Sequence, residues 1–444
     1  MRMGDYNSKK DIYKIEAAIC VMLFVSCSIW LFDGIIGWKK ITVLAMGMGL
    51  LILLTKKITV SRFSAIWLLY PAVILLSWII NHTFSKWFVY VFLLYCMIIC
   101  YAMLVDCEVN YLKIGVIFLA GLGIFHGIVV IVHFVFKEKF NGFYFPFLKH
   151  NGSLSTATSY YDRGYFWGLD YKPHETAGLI VFAIAALGIW ALLQKEYKKK
   201  MVYVIPTCLM FPLLLTGKKG VTACMLVGCM LILLVWYASK KQWMKIGIAV
   251  GGAAILMILA VWYIATHLDN PLFYRFASFF ERLISGQSVD AGRGGLQDAA
   301  WQLWEENKIW GVGWFQFNGY TVSRFGYPKT HSVNLDYLQF LCETGIVGFV
   351  FMMTPIIVMV RRTFIVCKNT LKNITEKSKQ WTILFAVFVQ LFTLMYAFIE
   401  VPFYTVMYFA IYIFSCMIIN NAYKELNPKK AVWTAWKKIK KCSE

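Results

Sequence analysis

Charge is what this chain has least of: Asp, Glu, Lys and Arg make up 15% of its 444 residues, against about a quarter in soluble globular proteins. Acids are scarcer than bases, 23 against 44. The 12 cysteines include no CxxC pair and sit mainly inside apolar runs, where free cysteine is an ordinary small hydrophobe. Cys96 and Cys100 share a helix face and carry no metal or redox signature beyond that spacing. No cleavable signal peptide is evident, because the first hydrophobic run ends at Asp33 without a small-residue cleavage pattern and further runs follow it. What is present is apolar: 60% hydrophobic and 17% aromatic residues, with a mean hydropathy of +0.63. These numbers exclude disorder, collagen, a disulfide mini-protein and a secreted enzyme, and assign the chain to a bilayer.

Uncharged stretches predict twelve membrane spans, at 17–32, 41–55, 63–85, 87–105, 114–136, 176–194, 201–217, 220–239, 246–268, 344–360, 380–399 and 401–423. Solid apolar runs such as Ile246 to Leu268 read as helices, since a β-barrel would show weak ten-residue alternation instead. The expected fold is therefore an all-α integral membrane protein of about 12 transmembrane helices, one polytopic domain over 1–444. With a cytoplasmic N-terminus, most of the 44 Lys and Arg fall in loops assigned inside, in patches such as Lys198-Lys199-Lys200, Arg361-Arg362 and Lys437-Lys438. The formal net charge of +21 thus expresses the positive-inside bias and not a nucleic-acid surface. An even number of spans returns the C-terminus to the cytoplasm, where the basic tail 424–444 can rest on anionic lipid.

Two external loops hold most of the non-membrane length. The first, 137–175, is rich in aromatic residues, among them Phe140, Tyr144, Tyr160, Tyr165 and Trp167; such rings suit a membrane interface or the face of a sugar. The second, 269–343, lies between the ninth and tenth spans and is partly helical. A helix from Gly294 to Asn307 places Leu296, Ala299, Ala300, Leu303 and Trp304 on one side, and Gly311 and Gly313 end it. A further helix is expected to begin around His331 or Ser332 and to run to Gly345. No internal repeat or low-complexity tract is found.

Three places on the outer side could do chemistry. Lys218 and Lys219, between two glycines at a tight turn, run against the charge bias; they either snorkel to headgroups or hold an anion. Arg293, flanked by Gly292, Gly294 and Gly295, precedes a helix N-terminus, where free amides and a guanidinium can grip an oxyanion; an ordinary surface turn would look the same. His331 is either merely hydrogen-bonded or a general base, histidine being the side chain that accepts a proton near neutrality. His126 and His133, inside a run, read as packing or helix–helix hydrogen bonding, with a proton relay as the alternative. No clustered Asp/Glu or His/Cys pattern for a metal appears outside the membrane.

Taken as a set, Trp301 through Gly313 (WQLWEENKIWGVG), His331 and Glu343-Thr344-Gly345-Ile346-Val347-Gly348 resemble the O-antigen ligase and polymerase superfamily. That signature has an arginine ahead of a Trp-containing helix, an N-P-L-x-G-V-G turn, an H-N-x-x-L segment and an E-x-G-I-x-G step into the next span. Here the turn reads Asn307-Lys308-Ile309-Trp310-Gly311-Val312-Gly313 without the proline, and Ser332 stands where asparagine is usual. Lys218-Lys219-Gly220 is similar to an upstream S-R-G, with lysine for arginine. Arg163-Gly164, Gly168 and Pro173-His174-Glu175 are similar to another family stretch, making Arg163 and His174 further candidates for substrate contact.

The resemblance implies a membrane glycosyltransferase of the cytoplasmic (inner) membrane, acting at its outer face in cell-surface polysaccharide assembly as polymerase or ligase. Its donor would be a glycan on a polyprenyl diphosphate and its acceptor a hydroxyl of a glycan, lipid or other molecule, with no cofactor or metal. Lys218, Lys219 and Arg293 would bind the diphosphate; Arg293 and His331 would be catalytic, in one inverting displacement. The alternative class is a lipid-linked oligosaccharide flippase or other secondary transporter. Such folds usually show repeat symmetry and midplane polar residues, whereas here ionisable groups concentrate in an external loop.

Overall fold

The computed structural model describes residues 64–84, 86–104, 107–150, 154–193, 201–242, 293–373 and 376–426, with isolated positions elsewhere. Helices account for nearly all of it: α1 (Leu69–Asn81, after a 3-10 turn at Ala65–Leu68), α2 (Lys86–Leu104), α3 (Val109–Val135), α4 (Lys137–His150), α5 (Leu154–Asp162), α6 (Pro173–Leu193), α7 (Met201–Leu215), α8 (Lys219–Ser239), α9 (Arg293–Glu306), α10 (Phe317–Ser323), α11 (Asp336–Asn373), α12 (Lys377–Tyr396) and α13 (Val406–Leu426). Six of these, α3, α6, α8, α11, α12 and α13, are long and apolar enough to cross a membrane, and Ala65–Asn81, Val89–Met103 and Tyr203–Leu215 are shorter apolar helices. Each overlaps a span expected from hydropathy. The expected spans 17–32, 41–55 and 246–268, residues 269–292 of the second loop and the tail beyond 426 lie outside the described residues, apart from isolated positions.

Helices α6, α12 and α13 are buried along most of their length. With no water to satisfy them, their polar groups pair with one another: the Trp381 indole donates to the Ala186 carbonyl at 2.7 Å, and Thr363 to the Gln390 amide oxygen at 2.5 Å. Arg362 donates to Asn420 at 2.8 Å. That contact helps explain one departure from expectation. Hydropathy stops the tenth span at 360 and makes 361–379 a loop, yet α11 continues to Asn373, because a partner on α13 lets Arg362 stay in a helix that packs.

The turns that the charge bias assigns to one side meet at one end of the bundle. There Phe166 N–H donates to Leu215 O at 3.2 Å, Asp336 N–H to Ala397 O at 2.9 Å, and Tyr408 hydroxyl to His174 O at 2.5 Å. At the opposite end Val109 N–H reaches Glu425 at 3.2 Å and Asn110 reaches Glu376 at 2.9 Å.

The aromatic segment is helical, as α4 and α5. Tyr144, Leu148, Ala157, Trp167 and Tyr171 form a small core of their own, so many of its rings serve as packing. His133 stacks on Phe140 with centroids 4.3 Å apart, and its Nδ1 lies 3.2 Å from the Trp167 carbonyl. This histidine ties the segment to the bundle, as the packing reading expects.

Candidate functional site

The described part of the second loop, residues 293–343, is held in place by backbone, not by side chains alone. The turn after α9 lies against α11: Val312 N–H donates to Cys342 O at 3.0 Å, Gly313 N–H to Glu343 O at 2.9 Å and Ile346 N–H to Lys308 O at 2.9 Å. Gly311 has φ +69, and a Cβ there would sit 2.4 Å from the Glu343 carbonyl carbon. Gly345 has φ +64, and its Cβ would meet the Ile309 carbonyl oxygen at 2.1 Å. Only glycine allows both the left-handed turn and this approach. The fully buried Glu343 carboxylate accepts from Phe315 N–H at 2.8 Å, Phe317 N–H at 3.2 Å and the Tyr404 hydroxyl at 2.7 Å. The glycine turn and the E-x-G step are therefore two halves of one clasp, and their work is structural.

That clasp sets α9 beside the turn that follows α12. Arg293, the first residue of α9, donates from one terminal nitrogen to Ile399 O at 2.9 Å and from the other to Glu400 Oε1 at 3.1 Å. Lys219 opens α8, and its neighbour Gly220 packs so tightly on Ile399 that a Cβ would lie 2.9 Å from the isoleucine Cγ2. Arg293 and Gly220 thus both approach Ile399. The Arg293–Glu400 pair is partly open, with side chains 34% and 19% exposed, and pairs of that kind contribute about 0–1 kcal/mol. Arg293 is held but available.

Lys218 lies over the rings of Tyr160 and Tyr165, 5.3 Å from each centroid, contacts worth about 0.5–2 kcal/mol apiece. Burial, and then the charge of Glu400, push the Tyr160 hydroxyl up to about 12, so it stays protonated and can donate. Nearby, Lys172 pairs with Glu175 at 3.1 Å, and the His174 ring is 3.8 Å from the same carboxylate. Burial lowers the Lys172 ammonium, but the Glu175 charge more than offsets this and holds it above its ordinary range.

His331 is placed differently from expectation. It does not begin a helix: residues 331–335 are irregular and α11 starts at Asp336. Asn334 adopts a left-handed conformation, φ +58, and Asp336 N–H is already committed to Ala397 O, so the local sequence cannot wind earlier. The His331 backbone N–H donates to Thr321 Oγ1 at 3.2 Å, and its ring meets Tyr327 edge-on at 5.6 Å. Tyr327 in turn places its hydroxyl 2.8 Å from where a Cβ on Gly295 would be, in the first turn of α9. Burial, with Lys329 adding to it, lowers the His331 pKa from its ordinary value.

Arg163 is exposed and lines an open groove with Leu154, Ser155, Thr158, Ser159 and Asp162. Glu400, Lys172 and Tyr327 join the cluster without having been singled out by the sequence. Glu400 carried a signal, a lone acid between two apolar runs on the side assigned outside; Tyr327 carried none.

The class these features define is a polytopic helical membrane protein with a cationic cluster at one end of its bundle. Within it, residues 207–353 match the family model for O-antigen ligase, which supports the O-antigen ligase and polymerase superfamily. The matched stretch contains Lys218, Lys219, Arg293, His331 and Glu343 and stops short of Glu400. Comparison with curated proteins finds no match.

Proposed function

We propose that this protein transfers a glycan from a polyprenyl-diphosphate carrier to an acceptor hydroxyl at the outer face of the cytoplasmic membrane, as a polymerase or ligase of cell-surface polysaccharide. The observation that carries the reading is the approach of Arg293 and Lys219-Gly220 to one turn, with His331 linked to the first turn of α9 through Tyr327. Two cations and a helix N-terminus suit a diphosphate, and an imidazole beside them suits an attacking hydroxyl.

In this reaction the acceptor oxygen bonds to the anomeric carbon as its proton passes to His331. The bond from that carbon to the diphosphate oxygen breaks, and the electron pair stays on the diphosphate, next to Arg293 and Lys219. One displacement inverts the anomeric centre. Lys218, steadied by Tyr160 and Tyr165, adds positive potential, and Lys172 lies near the same tyrosine. Among the described residues, the cations proposed to hold the diphosphate gather at one end of the bundle, which favours transfer over a flippase.

The test is a strain deleted for this protein, assayed for surface-glycan chain length and for lipid-linked repeats. Transfer at this step should leave the surface glycan short or missing while lipid-linked repeats accumulate at the outer face; normal glycan with no accumulation would defeat the reading.

A further inference from the structure

Resting on the diphosphate reading, we propose that Glu400 is a charge-selecting residue that favours release of the product diphosphate over loss of the donor. Arg293 is bound to the Glu400 carboxylate and to the carbonyl of Ile399. Glu400 is the acid in direct contact with the arginine, and its charge is also felt at Tyr160, the ring that holds Lys218. It therefore bonds the arginine and acts on a ring that holds the lysine. A diphosphate seated on Arg293 must take that guanidinium from Glu400 and then remain beside a carboxylate. The partly exposed pair is weak enough to open for this.

The cost of that neighbour depends on the ligand's charge. In the donor both phosphates are esterified. When the glycosyl bond breaks, the terminal phosphate keeps the electron pair and becomes a monoester that ionises a second time near neutrality. The product thus carries one negative charge more than the donor, and a site made only of cations would hold it the more tightly. Glu400 works against that trend, since its repulsion grows with ligand charge while its claim on Arg293 stays constant. One added charge about 10 Å from a carboxylate, at an effective dielectric near 20, changes relative affinity roughly tenfold.

The experiment measures binding of two probes with the same tail to the full-length detergent-solubilised protein: geranylgeranyl diphosphate, with a free terminal phosphate, and geranylgeranyl diphosphoglucose, with that phosphate esterified. Glu400→Gln keeps an oxygen acceptor for Arg293 and removes the charge; Glu400→Asp keeps the charge. Glu400→Gln is expected to tighten both ligands and to shift their affinity ratio toward the monoester by roughly tenfold, while Glu400→Asp stays near the wild-type ratio. A ratio does not depend on how much of a preparation is folded. If wild type binds both probes and Glu400→Gln leaves the ratio unchanged, or weakens both alike, Glu400 only positions Arg293 and the proposal is overturned. If wild type binds neither, the diphosphate reading itself falls, and this proposal with it.

Discussion

The Tyr327 ring meets the His331 ring edge to face at 5.6 Å, while its hydroxyl fills the space beside Gly295 in the first turn of α9. One side chain thereby touches the proposed base and borders the proposed phosphate site. Tyr327→Phe should raise the donor KM about tenfold with little change in kcat, the size expected for one hydrogen bond to a charged group. Tyr327→Ala should lower kcat as well, because the support of the imidazole goes with the ring. Steady-state kinetics indistinguishable from wild type for both variants would detach Tyr327 from the site.

His331→Ala is expected to reduce transfer by at least ~100-fold with thermal unfolding unchanged, since the ring is at the surface of its segment. The neutral imidazole is the active form, and it is lost as pH falls through its pKa. Because burial and Lys329 set that pKa below the ordinary 6.5, the acid limb of the rate profile should lie below pH 6.5. Lys329→Gln removes one of the two causes and should move the limb upward. An acid limb at or above 6.5 in the wild type would contradict this environment for His331.

Arg293→Ala should weaken donor use much more than acceptor use, by about tenfold or more in donor KM. Arg293→Lys is expected to recover only part of the loss, because an ammonium cannot make the two-pronged contact that the guanidinium makes to Ile399 and Glu400. Equal effects on donor and acceptor constants would count against a phosphate role.

The clasp predicts stability effects without any statement about substrate. Gly311→Ala places a Cβ 2.4 Å from the Glu343 backbone at φ +69 and should cost about 2–4 kcal/mol. Glu343→Ala strands two backbone N–H groups and the Tyr404 hydroxyl in a buried site, which should cost about 3–5 kcal/mol. Both should appear as lower unfolding temperatures of the solubilised protein. A Glu343→Ala protein as stable as wild type would remove the clasp from the account.

Much of the helical framework was legible because burial in lipid imposes a one-dimensional rule: a helix must stay apolar for its crossing length. That rule located the nine apolar helices of the described residues, and the charge bias sorted their turns into the two ends where the structure finds them. The same rule misplaced the end of α11, since hydropathy cannot know that Asn420 waits for Arg362 on a helix far along the chain. Helix α9 was legible from periodicity to within a residue, whereas the start at Asp336 was not, because Ala397 and a left-handed Asn334 decide it.

The amino-acid sequence by itself determined that this is a helical membrane protein, and it named Lys218, Lys219, Arg293 and His331, because scarce cations and a lone histidine stand out against an apolar background. Tertiary structure alone decided which of them share a place. Arg293, Ile399 and Gly220 are distant in sequence and meet only when α8, α9 and α12 pack. For the same reason Glu343, the acid of the E-x-G step, became a buried clasp, and Glu400, a single acid at the end of a span, became the arginine's partner. Residue chemistry is written locally; the neighbours that give each residue its role are chosen by packing.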